Sequence, residues 1–173
     1  GGSIQVESTK DVGTTFTVDI PFGMVEGWDV KDEVAMANLS DVRALVIDDD
    51  KDSCEYTCIL LDRLGVEHKY VTTGEAALEE IGEAEDKGES YNLCIVDWQM
   101  PDMDGVEVTR QIRNIFGEET IVIIVSAYDL NEIEAVGRKA GADYFVPKPL
   151  FQSTIFDAIM QVTNNKYERD DLD

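Results

Sequence analysis

The sequence predicts an α/β domain, a doubly wound parallel sheet of five strands with a β-hairpin extension at its N-terminal side, and three observations carry that prediction. From Val42 onward, short apolar runs alternate five times with segments whose apolar residues fall three or four apart, the pattern of strands and helices in turn. The three central runs are apolar or nearly so, as strands buried on both faces must be. Residues 1–22 instead alternate apolar with polar, the period of a half-exposed ribbon.

The first 22 residues read as that ribbon. "GGSIQVES" and "TTFTVDIPF" flank a Lys-Asp-Val-Gly turn, with Ile4 and Val6 on one face and Phe16, Val18 and Ile20 on another. Pro21 ends it. A two-stranded hairpin cannot bury an apolar face by itself, so the expectation is the edge of a larger domain lying upstream. Residues 23–40 read as a linker with a short helical stretch at "KDEVAMANL".

Residues 41–164 carry the alternation. The strand-like runs are "RALVI" (43–47), "EHKYV" (67–71), "LCIV" (93–96), "IVIIV" (121–125) and "DYFV" (143–146). Helical patterns occupy 53–64, 74–86, 105–116, 132–140 and 151–163. Asp52 or Ser53 is expected to cap the first helix and Asp104 the third, because short polar side chains accept from the free N–H groups of a first turn. Gly65, Gly117 and Gly141 follow three of the helices, where a left-handed cap is wanted. The stretch 81–90, "IGEAEDKGES", reads as a solvated extension of the second helix into its loop, and 165–173 as a charged tail.

Composition excludes several function classes. Lys and Arg number 14 against 37 Asp and Glu, a formal net charge of -23, so nucleic-acid phosphates are repelled and no nucleic-acid partner is expected. No apolar run approaches the ~20 residues of a membrane span, and no secretory signal opens the chain. A cytoplasmic location follows, without membrane contact by this segment. Cys54, Cys58 and Cys94 show no CxxC spacing and read as ordinary thiols of a reducing compartment.

Ligands of an open parallel sheet bind beyond the carboxyl ends of its strands. On that edge the chain places Asp48, Asp49 and Asp50 after the first run, Asp97 after the third, Ser126 after the fourth and Lys148 between two prolines after the fifth. Capping explains Asp104, but not carboxylates from the adjacent first and third strands. Two like charges about 4 Å apart repel by ~4 kcal/mol at an effective dielectric of ~20, whereas a cap returns ~1 kcal/mol. Such a cluster holds a proton or a hard cation, and all-oxygen donors suit Mg²⁺. With one lysine and one hydroxyl added, it has the parts of a phosphoryl site.

"LVIDDDKDS", "LCIVDWQMPDMDG", "IIVSAYD" and "DYFVPKPL" resemble the four signature stretches of the response-regulator (CheY-like) receiver domain, in order and spacing. The resemblance implies a flavodoxin-like sheet of order 2-1-3-4-5. It makes Asp97 the phosphoacceptor, which attacks a phosphohistidine to form an acyl phosphate. Asp48, Asp49, Asp97 and the backbone carbonyl of Gln99 become the Mg²⁺ ligands, Lys148 and Ser126 the phosphoryl partners, and Ser126 with Phe145 the switch pair. It also implies a cis Lys148–Pro149 bond. Gln99 and Tyr128 stand where the family flanks the phosphoryl group. The hairpin is similar to the last two strands of the ATP-binding domain of sensor histidine kinases, although none of that domain's catalytic motifs is present. Together these imply a C-terminal piece of a hybrid sensor histidine kinase, a parent compatible with a membrane anchor elsewhere. The partners implied are a phosphohistidine of the kinase dimerisation domain and a histidine phosphotransfer protein. Whether the piece counts as an enzyme stays open, because a receiver has only self-phosphorylation and autodephosphorylation chemistry.

Competing readings are a stand-alone response regulator, a non-phosphorylated interaction module and a haloacid-dehalogenase-like phosphatase using Asp48 and Asp50. The last wants Thr or Val where this chain has Asp52. A calcium loop from Asp48 fails at Ser53 and Ile59, where glycine and glutamate are needed. His68 is the sole histidine, so no histidine triad or metal cluster can form, and a solvent-facing strand position is expected for it. Trp98, next to Asp97, either screens the pocket, touches a partner or packs half-buried.

Overall fold

The computed structural model describes residues 2–10, 12–21 and 39–170, with the backbone alone for 164–170. The expected linker helix at 31–39 falls almost wholly outside them. The described residues form two units, considered separately.

The first unit is the hairpin, β1 (Ser3–Thr9) and β2 (Gly13–Asp19), paired antiparallel. Its register corrects one expectation. Ile4 stands opposite Val18 and Val6 opposite Phe16, so these four share one face instead of occupying two. All four are more than half exposed.

The second unit begins with β3 (Arg43–Ile47), α1 (Lys51–Leu64), β4 (Glu67–Val71), α2 (Gly74–Asp86) and β5 (Leu93–Asp97). It continues with α3 (Gly105–Phe116), β6 (Ile121–Ser126), α4 (Leu130–Ala140), β7 (Tyr144–Pro147) and α5 (Gln152–Asp170). The sheet order is β4-β3-β5-β6-β7, parallel throughout. That is the expected 2-1-3-4-5 arrangement.

Alternation along the central strands splits the core into layers. Val46, Ile95, Ile123 and Val125 point to the side packed by Leu61 of α1 and Ile155 and Ile159 of α5. Their neighbours Leu45, Ile47, Cys94, Val96 and Val122 point to the other side, against Ala77 and Ile81 of α2 and Val108 and Ile112 of α3. A side-chain period of two feeds both layers from the same strands, which is why the central runs had to be apolar at every position. A smaller third cluster joins Ile124, Ile133, Ala142 and Phe145, with Trp98 and Leu130 packed on it.

Several boundaries differ from the sequence pattern. The cap of α1 is Asp50, neither Asp52 nor Ser53: its carboxylate accepts from the Asp52 N–H (3.1 Å) and the Ser53 hydroxyl (3.0 Å). Asp48 turns the chain early by accepting from the Asp50 N–H at 2.9 Å, so the helix starts two residues sooner than its apolar pattern. In 81–90, Ile81 and Ala84 are buried; polar neighbours masked two core positions. The backbone of α5 stays helical to Asp170, since no glycine or proline interrupts it after the apolar pattern ends. Gly65 and Gly141 adopt left-handed caps, whereas Gly117 has φ 72° with ψ -152° and turns the chain out without closing one. His68 is half-buried, its Nδ1 within 2.9 Å of the Val66 carbonyl and its Nε2 3.8 Å from Asp62. The end of α1 covers it.

Arg113, to which the sequence pattern drew no attention, ties two loops together, the one before β6 and the one before β7. Its Nε donates to the Gly141 carbonyl (2.9 Å), Nη1 to the carbonyls of Gly117 and Thr120, and Nη2 to Asp143 (2.6 Å). Asp143 in turn accepts from the Val122 N–H at 2.7 Å. A lysine cannot reproduce that planar fork. Arg113→Lys is expected to cost about 2 kcal/mol, read as a lowered urea midpoint with an unchanged m-value; a variant as stable as the parent would show the network to be dispensable.

Candidate functional site

The site assembles where three strands end side by side. β3 stops at Ile47, so Asp48 and Asp49 follow directly; Asp48 is 7% exposed and Asp49 open to solvent. Asp97 is the last residue of β5, pairs with Val125 of β6 and is 8% exposed. One carboxylate oxygen from each of Asp48, Asp49 and Asp97 lies within 4.8 Å of the others.

Lys148 reaches this cluster from the loop after β7. Its Nζ sits 2.8 Å from an oxygen of Asp48 and 2.8 Å from an oxygen of Asp97. The loop is steered there by the Lys148 N–H donating to the Ser126 carbonyl at 2.7 Å and by a cis Lys148–Pro149 bond. Ser126 ends β6, is 1% exposed, and its Oγ accepts from the Tyr128 N–H at 3.0 Å. With that lone pair taken, its O–H remains available to donate.

Electrostatics follow from this crowding. Burial pushes the Asp97 carboxyl above the usual aspartate range; the Lys148 ammonium pulls the other way, and Asp48 adds to the rise. Burial also works against the Lys148 ammonium, but Asp48 and Asp97 outweigh it and hold the lysine above its ordinary value. Three carboxylates facing one ammonium leave an excess of negative charge with oxygen donors converging on one point. That donor set fits a hard divalent cation.

The remaining predicted residues fall around this centre. Gln99 hydrogen-bonds the Asp97 carboxylate through its backbone N–H, and its side chain accepts from the Tyr128 hydroxyl at 2.7 Å, bridging two loops at the site's edge. Phe145 does not enter the site. It is buried in the third cluster, three residues before Lys148, and Trp98 is half-buried on that same cluster. Asp50 serves as a cap, and His68 stands on the edge strand, away from the carboxylates.

Three contributors went unread in the sequence. Cys54, fully buried, donates its thiol to the Asp48 carbonyl at 3.2 Å, and burial pushes that thiol up to about 12. Gly105 was read only as the residue after a cap, yet a Cβ there would collide with the Asp97 backbone carbonyl; α3 starts that close to the acceptor strand, and the Gly105 N–H donates to the Trp98 carbonyl at 2.9 Å. A cavity of about 390 Å³ opens beside Asp48, Asp97 and Lys148, walled on its apolar side by Tyr56, Thr57 and Leu150. The Asp-Gly pair and the Cys four residues after the acidic run were the only signals available. Neither says which backbone it will meet.

The model of the response regulator receiver domain family matches residues 44–160. The chain belongs to that family. Autoinducer 2 sensor kinase/phosphatase LuxQ of Vibrio cholerae is 30% identical to this receiver chain over 164 residues, taking in 91% of this chain and 19% of that protein. Sensor histidine kinase AtsR of Burkholderia thailandensis is 30% identical over 162 residues, 89% of this chain and 26% of that protein. The chain thus spans about a fifth to a quarter of the length of these curated relatives. Among solved structures, a CheY-like response regulator receiver domain protein of Methanospirillum hungatei is 25% identical with a TM-score of 0.65, covering 74% of this chain and 98% of that one. The receiver fold and the place of this chain in two-component signal transduction are therefore shown.

Proposed function

We propose that this receiver takes a phosphoryl group from a phosphohistidine onto Asp97 and passes it to a histidine phosphotransfer protein, as one relay step of a hybrid sensor kinase. The observation that carries this reading is the pairing of Lys148 with Asp48 and Asp97, both at 2.8 Å, inside a cluster of three converging carboxylates. Asp97, buried and aimed from a rigid strand end, is the nucleophile. One of its carboxylate oxygens forms the new P–O bond while the P–N bond to histidine breaks, and the imidazole nitrogen leaves with the electron pair. Lys148 offers its ammonium to a phosphoryl oxygen, and the Ser126 O–H donates to another.

Asp48, Asp49, Asp97 and the Gln99 carbonyl would hold Mg²⁺. Bound there, Mg²⁺ supplies positive charge that makes the carboxylate crowding tolerable and offsets charge on the phosphoryl oxygens. The chain's own part is to keep those donors preorganised: Asp48 through its bond from the Asp50 N–H, Asp97 through the Gln99 N–H.

The hairpin completes the reading. The matches to LuxQ and AtsR run over 164 and 162 residues, well beyond the receiver match of 44–160, so similarity to these kinases extends upstream of the receiver. Together with the exposed apolar face of Ile4, Val6, Phe16 and Val18, this supports 1–22 as the last strands of a kinase ATP-binding domain, 23–40 as linker, 41–164 as receiver and 165–173 as tail. Among the described residues no helix is long and apolar enough to cross a membrane. A cytoplasmic receiver fits that.

Mg²⁺ with beryllofluoride, a phosphoryl mimic, tests the reading by thermal unfolding. At a hundredfold excess over its dissociation constant a native-state ligand adds about 2.7 kcal/mol, so the midpoint is expected to rise by several degrees. Asp49→Asn, which keeps size but removes a ligand charge, is expected to abolish most of that rise. An unresponsive parent protein would instead support the non-phosphorylated interaction module.

A further inference from the structure

We propose that Gly137 is a positioning residue: its missing side chain is the seat of the Phe145 ring, and through that ring it sets the packing of the loop that carries Asp97. Only the ligand readout below rests on the receiver reading.

Glycine is a poor choice for the interior of a helix, yet Gly137 lies buried within α4, with neither turn nor cap to require it. The ring explains it. A Cβ at this position would stand 2.5 Å from Phe145 Cε1, 2.6 Å from Cζ and 3.2 Å from Ile124 Cδ1. Phe145 is 7% exposed, and the Arg138 guanidinium, held by Glu134 at 2.7 Å, lies over the ring at 5.5 Å from its centroid. The aromatic is thus set against bare helix backbone, with a cation over its face.

What the ring touches makes the seat consequential. Phe145 belongs to the third cluster, with Ile124, Ile133 and Ala142, and Trp98 packs on that cluster. Trp98 directly follows Asp97, and its N–H donates to the Val125 carbonyl at 2.8 Å. On the other side, Phe145 lies three residues before Lys148 on the same strand and loop. Close-packed interiors answer an added methyl by shifting neighbours. Here the neighbours lead to both the acceptor and its lysine.

Helix propensity and the seat predict opposite signs, which makes the test sharp. The sequence holds two tryptophans, so a Trp28→Phe background leaves Trp98 as sole reporter. In that background Gly137→Ala is expected to lower the unfolding midpoint and shift Trp98 emission, where propensity alone would raise the midpoint. Once the ring is gone the extra methyl keeps only its 3.2 Å approach to Ile124 Cδ1, so Gly137→Ala should no longer lower the midpoint in a Phe145→Ala background and helix propensity should raise it slightly. The beryllofluoride concentration that half-saturates the Trp98 response in Mg²⁺ is expected to move about tenfold in Gly137→Ala. Should that variant fail to fold, adding Phe145→Leu, which lacks Cε1 and Cζ, is expected to restore it.

A raised midpoint with the ring in place, or additive effects in the double variant, overturns the proposal. So does a lowered midpoint with Trp98 emission unmoved, because the ring would then be packed without reaching the acceptor loop. If the parent shows no beryllofluoride response at all, the phosphoacceptor reading falls, while emission and the unfolding cycle still decide the seat.

Discussion

Asp97→Asn is expected to abolish acid-stable, alkali-labile labelling of the chain by a small phosphodonor in Mg²⁺, while making the metal-free protein more stable. The first effect follows because an amide has no carboxylate to form the acyl phosphate, and among the described residues no other carboxylate ends a central strand with Lys148 on one of its oxygens. Undiminished labelling in that variant would refute the assignment. The second effect follows from the sign of the Asp97 shift. Burial, with help from Asp48, raises its pKa despite the Lys148 ammonium, so the folded state prefers the carboxyl protonated. Stability from that preference is present below the ordinary aspartate pKa and is lost as pH rises through the raised value. At pH 7 the native protein carries an ionised group the fold resists. The asparagine variant avoids it, and its midpoint is expected to rise by a few degrees. Its advantage is expected to shrink as pH falls toward 4. A constant gap between pH 4 and 8 would mean that the gain comes from something other than ionisation.

Lys148→Met is expected to be the most damaging single change at the site in the metal-free protein. Lys148 is the only cation within ion-pair distance of Asp48 and Asp97 among the described residues. Its ammonium stays charged throughout the neutral range because those two carboxylates hold its pKa up against burial. Methionine fills similar volume without charge, leaving two largely buried carboxylates facing each other. Breaking a buried pair from one side typically costs 3–5 kcal/mol; about 3 kcal/mol is expected here, since Lys148 is partly open to water and Asp97 can take a proton. The loss should be largest at pH 8 and smaller at pH 5, because without the ammonium the Asp97 pKa climbs further and protonation relieves the repulsion. Urea unfolding at the two pH values measures this. An equal loss at both would point to lost packing by the lysine stem.

How far the sequence reached depends on the kind of information each feature needs. The five strands and five helices were legible because burial on two faces forces apolar residues at every position of a central strand, as in "IVIIV", and on one stripe of each helix. The strand ends placed Asp48, Asp49, Asp97, Ser126 and Lys148 on one edge for the same reason: a parallel sheet carries every carboxyl end to the same side. Cap identity was less legible. Asp50, Asp52 and Ser53 are all good caps, and only the bond from the Asp50 N–H to Asp48 decides among them.

The tertiary structure alone decided what depends on through-space meetings. Arg113 became a fork for two loops because α3 ends beside the loops before β6 and β7, an adjacency absent from any local pattern. Gly105 and Gly137 look like casual glycines in the chain, yet one lets α3 approach the Asp97 carbonyl and the other receives the Phe145 ring. His68 proved half-covered and Ile81 and Ala84 buried because neighbouring elements, not their own periods, set their exposure. By itself, then, the sequence determined the order of elements and the chemistry at their ends, since both follow from local period and residue type. Distances between those ends, and the charge each group bears there, come from packing, because Coulomb energy and close contact depend on separation in space and not along the chain.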